Sequence, residues 1–136
     1  MPLTLADRVN AIEECYEFML AYAAQGLPGD AGSTSGGQLR ELMRRAVAAL
    51  SGLAEAYAAA VNGQASYARF LTVLARDADD SLAAMELVRA QPSLSSQLID
   101  NLNASIHLRA LLTDVFLIDE ILKLQRPTAN PATSTS

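Results

Sequence analysis

The stretch Ala110-Leu111-Leu112-Thr113-Asp114-Val115-Phe116-Leu117-Ile118 lies in the longest part of the chain without glycine or proline, which runs from Ser93 until Pro127. Pro92 ends the preceding segment, and the serines after it are suitable N-caps for a new helix. A single helix here would hold about 30 residues and measure roughly 45 Å. Because apolar side chains occur on all its sides, the sequence predicts a long, largely buried C-terminal helix over residues 93–125.

One side of this helix carries Phe116 together with Leu112, and we expect that side to be core. Replacement of a fully buried Phe116 by alanine would then cost about 3 to 5 kcal/mol. Another chain is the natural cover for the opposite side. The alternative is a helix in the middle of its own bundle with no partner. The predicted subunit interface consists of Ile106, Ala110, Leu117, Ile121 and Leu124.

Three further helices are predicted, over about 4–25, 38–62 and 66–90. Thr4 and Asp7 form a capping-box pattern at the first, and Gly26 marks its end. The Gly- and Ser-rich segment 27–37 is interpreted as a mobile loop. Since the other connections are short, neighbouring helices should be antiparallel. The sequence thus predicts an all-α fold: an antiparallel up-down-up-down four-helix bundle in one domain, residues 1–125, followed by a disordered tail at 126–136.

Composition narrows the class of protein. The 136 residues are 51% hydrophobic but only 5% aromatic, so alanine and leucine carry the burial, as is typical of helices. A formal charge of −5 argues against a nucleic-acid partner, because the chain lacks a basic surface that could bind the phosphate backbone.

Acidic residues interrupt the C-terminal apolar run, which argues against a transmembrane segment. With one cysteine and no signal-peptide pattern, we expect a cytoplasmic protein, and the arginine and alanine usage is typical of bacteria.

Metal and cofactor chemistry finds little support in the sequence. His107 is the single histidine, so the Glu-x-x-His pattern of di-iron bundles is absent, and we predict no cofactor and no metal. The cluster Glu13, Glu14 and Glu17 is interpreted as a solvated acidic face near the arginines that begin the second helix. The alternative is a carboxylate metal site completed across a dimer axis, with His107 as a further ligand.

Polar residues also form a file along the predicted C-terminal helix. They are Asp100, Asn103, His107 and Asp114, which share one side of a helical wheel. In one interpretation the file faces water. In the other, two copies of the helix pack antiparallel and an Asp of one meets the His of the other, which would fix the register.

Three functions remain open from the sequence. The favoured one is a non-catalytic helical interaction protein, a small accessory subunit or adaptor that self-associates as a dimer or docks on a larger protein through its C-terminal helix. The second is a ligand-binding or sensing bundle with a pocket lined by Tyr16, Tyr22 and Tyr57. The third is a metal-dependent bundle that uses the glutamate cluster and His107. No catalytic constellation occurs, so we expect a protein without enzyme activity.

Overall fold

The computed structural model describes residues 3–125. This part of the chain is all-α, as predicted, and contains no strand. The predicted disordered tail, 126–136, lies outside the described residues. The six α-helices are α1 (Leu5–Ala23), α2 (Thr34–Leu50), α3 (Leu53–Ala60), α4 (Ala68–Arg89), α5 (Ser96–Ala104) and α6 (His107–Gln125), with a 3₁₀ turn at Ala65–Tyr67 before α4.

The first helix begins with the predicted capping box. The Thr4 hydroxyl accepts a hydrogen bond from the Asp7 backbone N–H, and the Asp7 carboxylate accepts one from the Thr4 N–H. These bonds satisfy two backbone donors that would otherwise lack partners. α1 then packs most extensively on α2. Arg8, near the start of α1, contacts the Ala49 carbonyl at the end of α2, and Glu14 approaches Arg45 nearer the middle, so the two helices are antiparallel.

The predicted helix over 38–62 is wrong as a single element, because the chain breaks between α2 and α3. Gly52 has φ +88°, a left-handed conformation that glycine adopts without a steric penalty. The Arg8 guanidinium donates to the backbone oxygens of Ala49 (2.9 Å) and Ser51 (2.6 Å). Arg8 therefore satisfies carbonyl groups at the end of α2 that a continuous helix would have bonded internally.

The segment 27–37, predicted to be mobile, is instead held by specific bonds. The Asp30 carboxylate pairs with Arg40 at 2.6 Å and accepts the Leu94 N–H at 2.6 Å. Leu27 donates to the Ser96 hydroxyl (2.8 Å) and accepts from the Ser96 N–H (2.9 Å). The α1–α2 connection is thus attached to the start of α5.

The single long helix predicted over 93–125 is also wrong, because the chain divides between Ser105 and His107. Ile106 has φ +63°, and the Ser105 hydroxyl donates to the Leu102 carbonyl at 2.6 Å. The change of direction lets α5 pack on α1 while α6 lies along α4. Because the helices predicted over 38–62 and 93–125 are each divided in two, the predicted four-helix topology is not confirmed.

One core joins all six helices. Phe116 is not part of it: the ring is 51% exposed, so the large cost predicted for Phe116→Ala loses its basis. Among the described residues, no helix has the length and apolar composition needed to cross a bilayer. The largest aliphatic side chains that are fully buried are Ile12, Met19, Leu39, Met43, Leu53, Leu74, Met85, Leu94, Ile99 and Leu111.

Candidate binding surface

Aliphatic side chains line the outer face of α6 and of the residue just before it. We call this set the α6 stripe: Ile106, Ala110, Leu117, Ile121 and Leu124, the residues predicted as the interface. Four of them are exposed, Ile106 by 57%, Leu117 by 51%, Ile121 by 37% and Leu124 by 75%, and Ala110 is half-buried. Scattered apolar residues on a surface are ordinary, but a line of them on one helix face is typical of a binding site.

The spacing of residues along α6 explains why the stripe faces outward. The buried residues of the helix, Leu108, Leu111, Leu112, Val115 and Ile118, recur at steps of three or four and face the core. At 3.6 residues per turn, stripe positions 110, 117, 121 and 124 fall on the other side of the cylinder. One helix thus has two apolar sides, and residues 3–125 cover one of them.

Ile106 is held in an unfavourable backbone conformation at the start of this surface. Left-handed φ values are uncommon outside glycine, and for a β-branched residue they mark genuine strain. Such strain costs on the order of 1–3 kcal/mol. The Ile106 side chain is mostly exposed, so contacts within the described chain offset little of this cost.

A groove between α1 and α6 borders the stripe, and Phe116 lies in it. On one side of the ring is a depression of about 390 Å³, and on the other a larger one of about 710 Å³ near the N-terminal end of α1. The smaller depression has an apolar floor and three charged residues at its edge. Its lining consists of Glu13, Tyr16, Glu17, Leu20, Arg109, Leu112, Thr113 and Phe116.

The predicted polar file is not brought together. The break at Ile106 places Asp100 and Asn103 on α5 and His107 and Asp114 on α6. Asp100 is exposed, while the Asn103 amide donates to the Met19 carbonyl of α1 at 3.2 Å. The four residues are therefore divided between two helices and do not form one continuous file.

Asp114 instead faces Asp77 of α4, a pairing that the sequence analysis missed. Burial and a hydrogen bond with the Asp77 carboxylate raise the pKa of Asp114 to about 7. The O–H of a neutral Asp114 can donate a hydrogen bond to the Asp77 carboxylate, whereas two carboxylates would repel each other across the α4–α6 contact. The buried Ser81 hydroxyl, one turn after Asp77, has no hydrogen-bond partner within residues 3–125.

We expect this pair to make the fold less stable as pH rises through neutrality. The pKa of Asp114 in the folded chain lies above its ordinary value of 3.8, so the stabilisation by the bound proton is complete below about pH 4. This stabilisation is lost as the pH rises through about 7 and the carboxyl group ionises. Asp114→Asn keeps a donor for Asp77 without the titration. Guanidinium unfolding should find it about 1–2 kcal/mol more stable than the wild type at pH 8 and similar at pH 4, a figure reduced because solvent reaches the pair.

Asp100→Asn, an exposed change on α5, is the matched control and should leave the pH profile unaltered. A profile for Asp114→Asn that falls with pH as steeply as that of the wild type would show that another group is responsible.

The three tyrosines predicted to line a pocket lie in different surroundings. Tyr22 is fully buried and its hydroxyl donates to the Leu94 carbonyl at 2.7 Å. Tyr57 is fully buried too and donates to the Asp119 carboxylate at 2.8 Å. These hydroxyls join α1 to the start of α5 and α3 to α6. Only Tyr16, half-buried, lines the depression beside Phe116.

The structure also locates the glutamate cluster of α1 and the single cysteine, Cys15. Glu14 lies 4.0 Å from Arg45, an exposed and therefore weak ion pair. Within residues 3–125, no group of three or more His, Cys, Asp or Glu side chains is arranged to hold a metal ion, and this includes Glu13, Glu14, Glu17 and His107.

Burial, with a smaller effect of Glu14, raises the pKa of the Cys15 thiol to about 12, which keeps it from acting as a thiolate.

The chain matches no protein-family model, no curated protein and no solved structure. The evidence for its function therefore lies in the surface itself.

Proposed function

We propose that the chain is a non-catalytic helical interaction protein, a small bacterial cytoplasmic accessory subunit or adaptor, which self-associates or docks on a larger protein through α6. The observation that carries this proposal is the α6 stripe, in which four large aliphatic side chains are between 37% and 75% exposed along one helix face. Burying such side chains against a partner removes their apolar surface from water.

The conformation of Ile106 gives separate support. A β-branched residue in the left-handed region, whose side chain also faces water, is unfavourable in two ways for the isolated chain. Strain of this kind concentrates at functional positions. A partner that buries the Ile106 side chain would offset the strain with apolar contact.

A second candidate is a ligand-binding bundle, favoured by the 390 Å³ depression beside Phe116. Its volume lies in the range of small-molecule sites, and apolar rings with a few charged groups are typical of them. Of the predicted pocket residues, Tyr16 alone lines it. A small molecule that co-purifies with the chain and is lost from Tyr16→Ala, as detected by native mass spectrometry, would support this function.

The favoured function predicts that Leu117→Glu disrupts association. Each copy in a dimer loses the burial of one leucine, worth roughly 1.5–3 kcal/mol, so the dissociation constant should rise more than about 100-fold. Light scattering and sedimentation over a range of concentrations measure this constant. Circular dichroism confirms that the variant remains folded.

Leu3→Glu is the matched control, since Leu3 is similarly exposed (42%) but borders a depression on the α1–α2 side. It should associate like the wild type. If Leu3→Glu and Leu117→Glu weaken association equally, the effect is one of charge and not of the stripe. A wild-type chain that is monomeric at every concentration, and that retains no partner sensitive to Leu117→Glu in pull-downs from its source, would overturn the proposal.

A further inference from the structure

The α6 stripe has nearly the same pattern in both directions along the helix. When the positions are reflected about Val115, position 106 coincides with 124 and position 113 with 117. Position 110 coincides with 120, which is next to 121. Two helices related by a two-fold axis perpendicular to their length run antiparallel and meet in this mirrored register. In such a pair, each stripe residue of one copy lies opposite the stripe or Thr113 of the other.

Charges beside the stripe fit the same register. Arg109 and Glu120 are both exposed and, about three turns apart at 3.6 residues per turn, lie on the same side of α6. In an antiparallel pair of helices, the same flank of each helix meets across the interface. Arg109 of one copy then lies next to Glu120 of the other, and the two-fold axis creates this contact twice.

Other arrangements do not make these contacts. In a parallel pair the two-fold axis runs along the helices, so residues with the same number lie at the same level but on opposite sides of the interface. Arg109 of one copy and Glu120 of the other are then about three turns apart and do not meet. An anionic membrane surface prefers helices with lysine and arginine along the polar face. On α6 the stripe is instead flanked by charges of both signs, Arg109 and Glu120, and the chain has a net charge of −5.

We propose that the occupant of the stripe is a second copy of this chain, bound antiparallel through α6, with Arg109 of each copy beside Glu120 of the other. The two-fold axis crosses the interface at the level of Val115 along the helix. This proposal rests on the proposed function, because it names the partner of the same surface. In this dimer Ile106 packs against Leu124 of the second copy at both ends of the interface, and the strained Ile106 gains apolar contact.

Arg109 is free within the described chain to make this contact. It borders the same depression as Glu13 and Glu17, yet among residues 3–125 no acidic group lies within 4.0 Å of it in an ion pair. Its charge is therefore not neutralised by a close acidic partner within the described part of the chain. The two acidic neighbours could still respond to a change at Arg109, so the experiment requires a rescue.

The test uses three variants of the full chain: Arg109→Glu, Glu120→Arg and the double variant with both changes. Each single change converts two attractive contacts into two repulsive ones. We expect dimerisation measured by sedimentation to weaken at least about tenfold in both single variants and to return to within about threefold of the wild type in the double variant. The effects of the single changes should shrink as salt is raised to about 1 M, where the screening length is near 3 Å.

The possible results separate this proposal from the proposed function. Single variants that dimerise like the wild type, or a double variant that is not rescued, would overturn the antiparallel register, while sensitivity to Leu117→Glu would still retain α6 as the surface. A wild-type chain that is monomeric at all concentrations would overturn the second copy as occupant, and its capture of another protein, lost in Leu117→Glu, would leave the proposed function standing. If the wild-type chain neither self-associates nor captures another protein in a Leu117-dependent way, the antiparallel dimer and the proposed function are both overturned.

Discussion

Leu111→Ala should reduce the free energy of unfolding by about 2–5 kcal/mol, because it leaves a cavity in a close-packed site. The side chain is fully buried on α6, on the side that faces the core. Guanidinium unfolding at low chain concentration, followed by circular dichroism, measures the change without a contribution from association.

Leu117→Ala is the matched control for this prediction. It makes the same chemical change on the same helix, six residues later, at a position that is 51% exposed. Its cost in the monomer should stay below about 0.5 kcal/mol, as for other surface substitutions. If the two variants lost equal stability, α6 would not present these opposite faces to the core and to solvent.

Gly36→Ala should destabilise the fold by about 2–3 kcal/mol, the cost of overpacking a tight site. Gly36 is buried in the first turn of α2, and a Cβ there would overlap the backbone carbonyl group of Asp30. Asp30 has little freedom to move aside, because its carboxylate is held by Arg40 and by the Leu94 N–H. Thermal and chemical unfolding of the variant measure the effect.

The adjacent Gly37→Ala should act in the opposite direction. A Cβ at Gly37 has no atom within 4 Å, and the position is exposed. Alanine is favoured over glycine in a helix by roughly 1 kcal/mol, so this variant should gain up to that amount. A stable Gly36→Ala protein would show that the segment from residue 27 to 37 can shift after all, as the sequence analysis expected.

Local signals made the helical class and the first helix predictable. The Thr4 and Asp7 pattern, the apolar periodicity and the absence of alternating strand segments all act over a few residues, and the structure follows them. The outward line of aliphatic residues on α6 was likewise visible in their spacing. The spacing did not show which apolar side would face the core, and Phe116 was wrongly predicted to be buried.

The two helix breaks differ in how visible they were. Gly52 is the residue type that a left-handed break requires, but one glycine within an otherwise helical pattern does not by itself predict a break, so one helix was predicted over 38–62. Ile106 gave no signal, because a β-branched residue argues locally against that conformation. The packing of α5 on α1 and of α6 along α4 imposes the break at Ile106, and single-sequence patterns do not contain that information.

The acid pair was missed for a related reason. Asp114 was compared with polar residues on its own predicted helix, whereas its partner, Asp77, lies on α4. Only the register of two antiparallel helices places the two carboxyl groups together. A sequence can show that Asp114 interrupts an apolar run, but not which residue faces it.

The attachment of the α1–α2 connection to α5 has a consequence for the order of folding. Five hydrogen bonds join residues 22–30 to residues 94–96, across about half the length of the chain. α1 and α2 are neighbours in sequence and can meet early, since short loops close with little loss of entropy. The bonds from Tyr22, Leu27 and Asp30 must wait until residue 96 has left the ribosome. During synthesis we therefore expect the α1–α2 hairpin to form with its connecting segment held by the Asp30–Arg40 ion pair, and the five longer-range bonds to be added when α5 arrives.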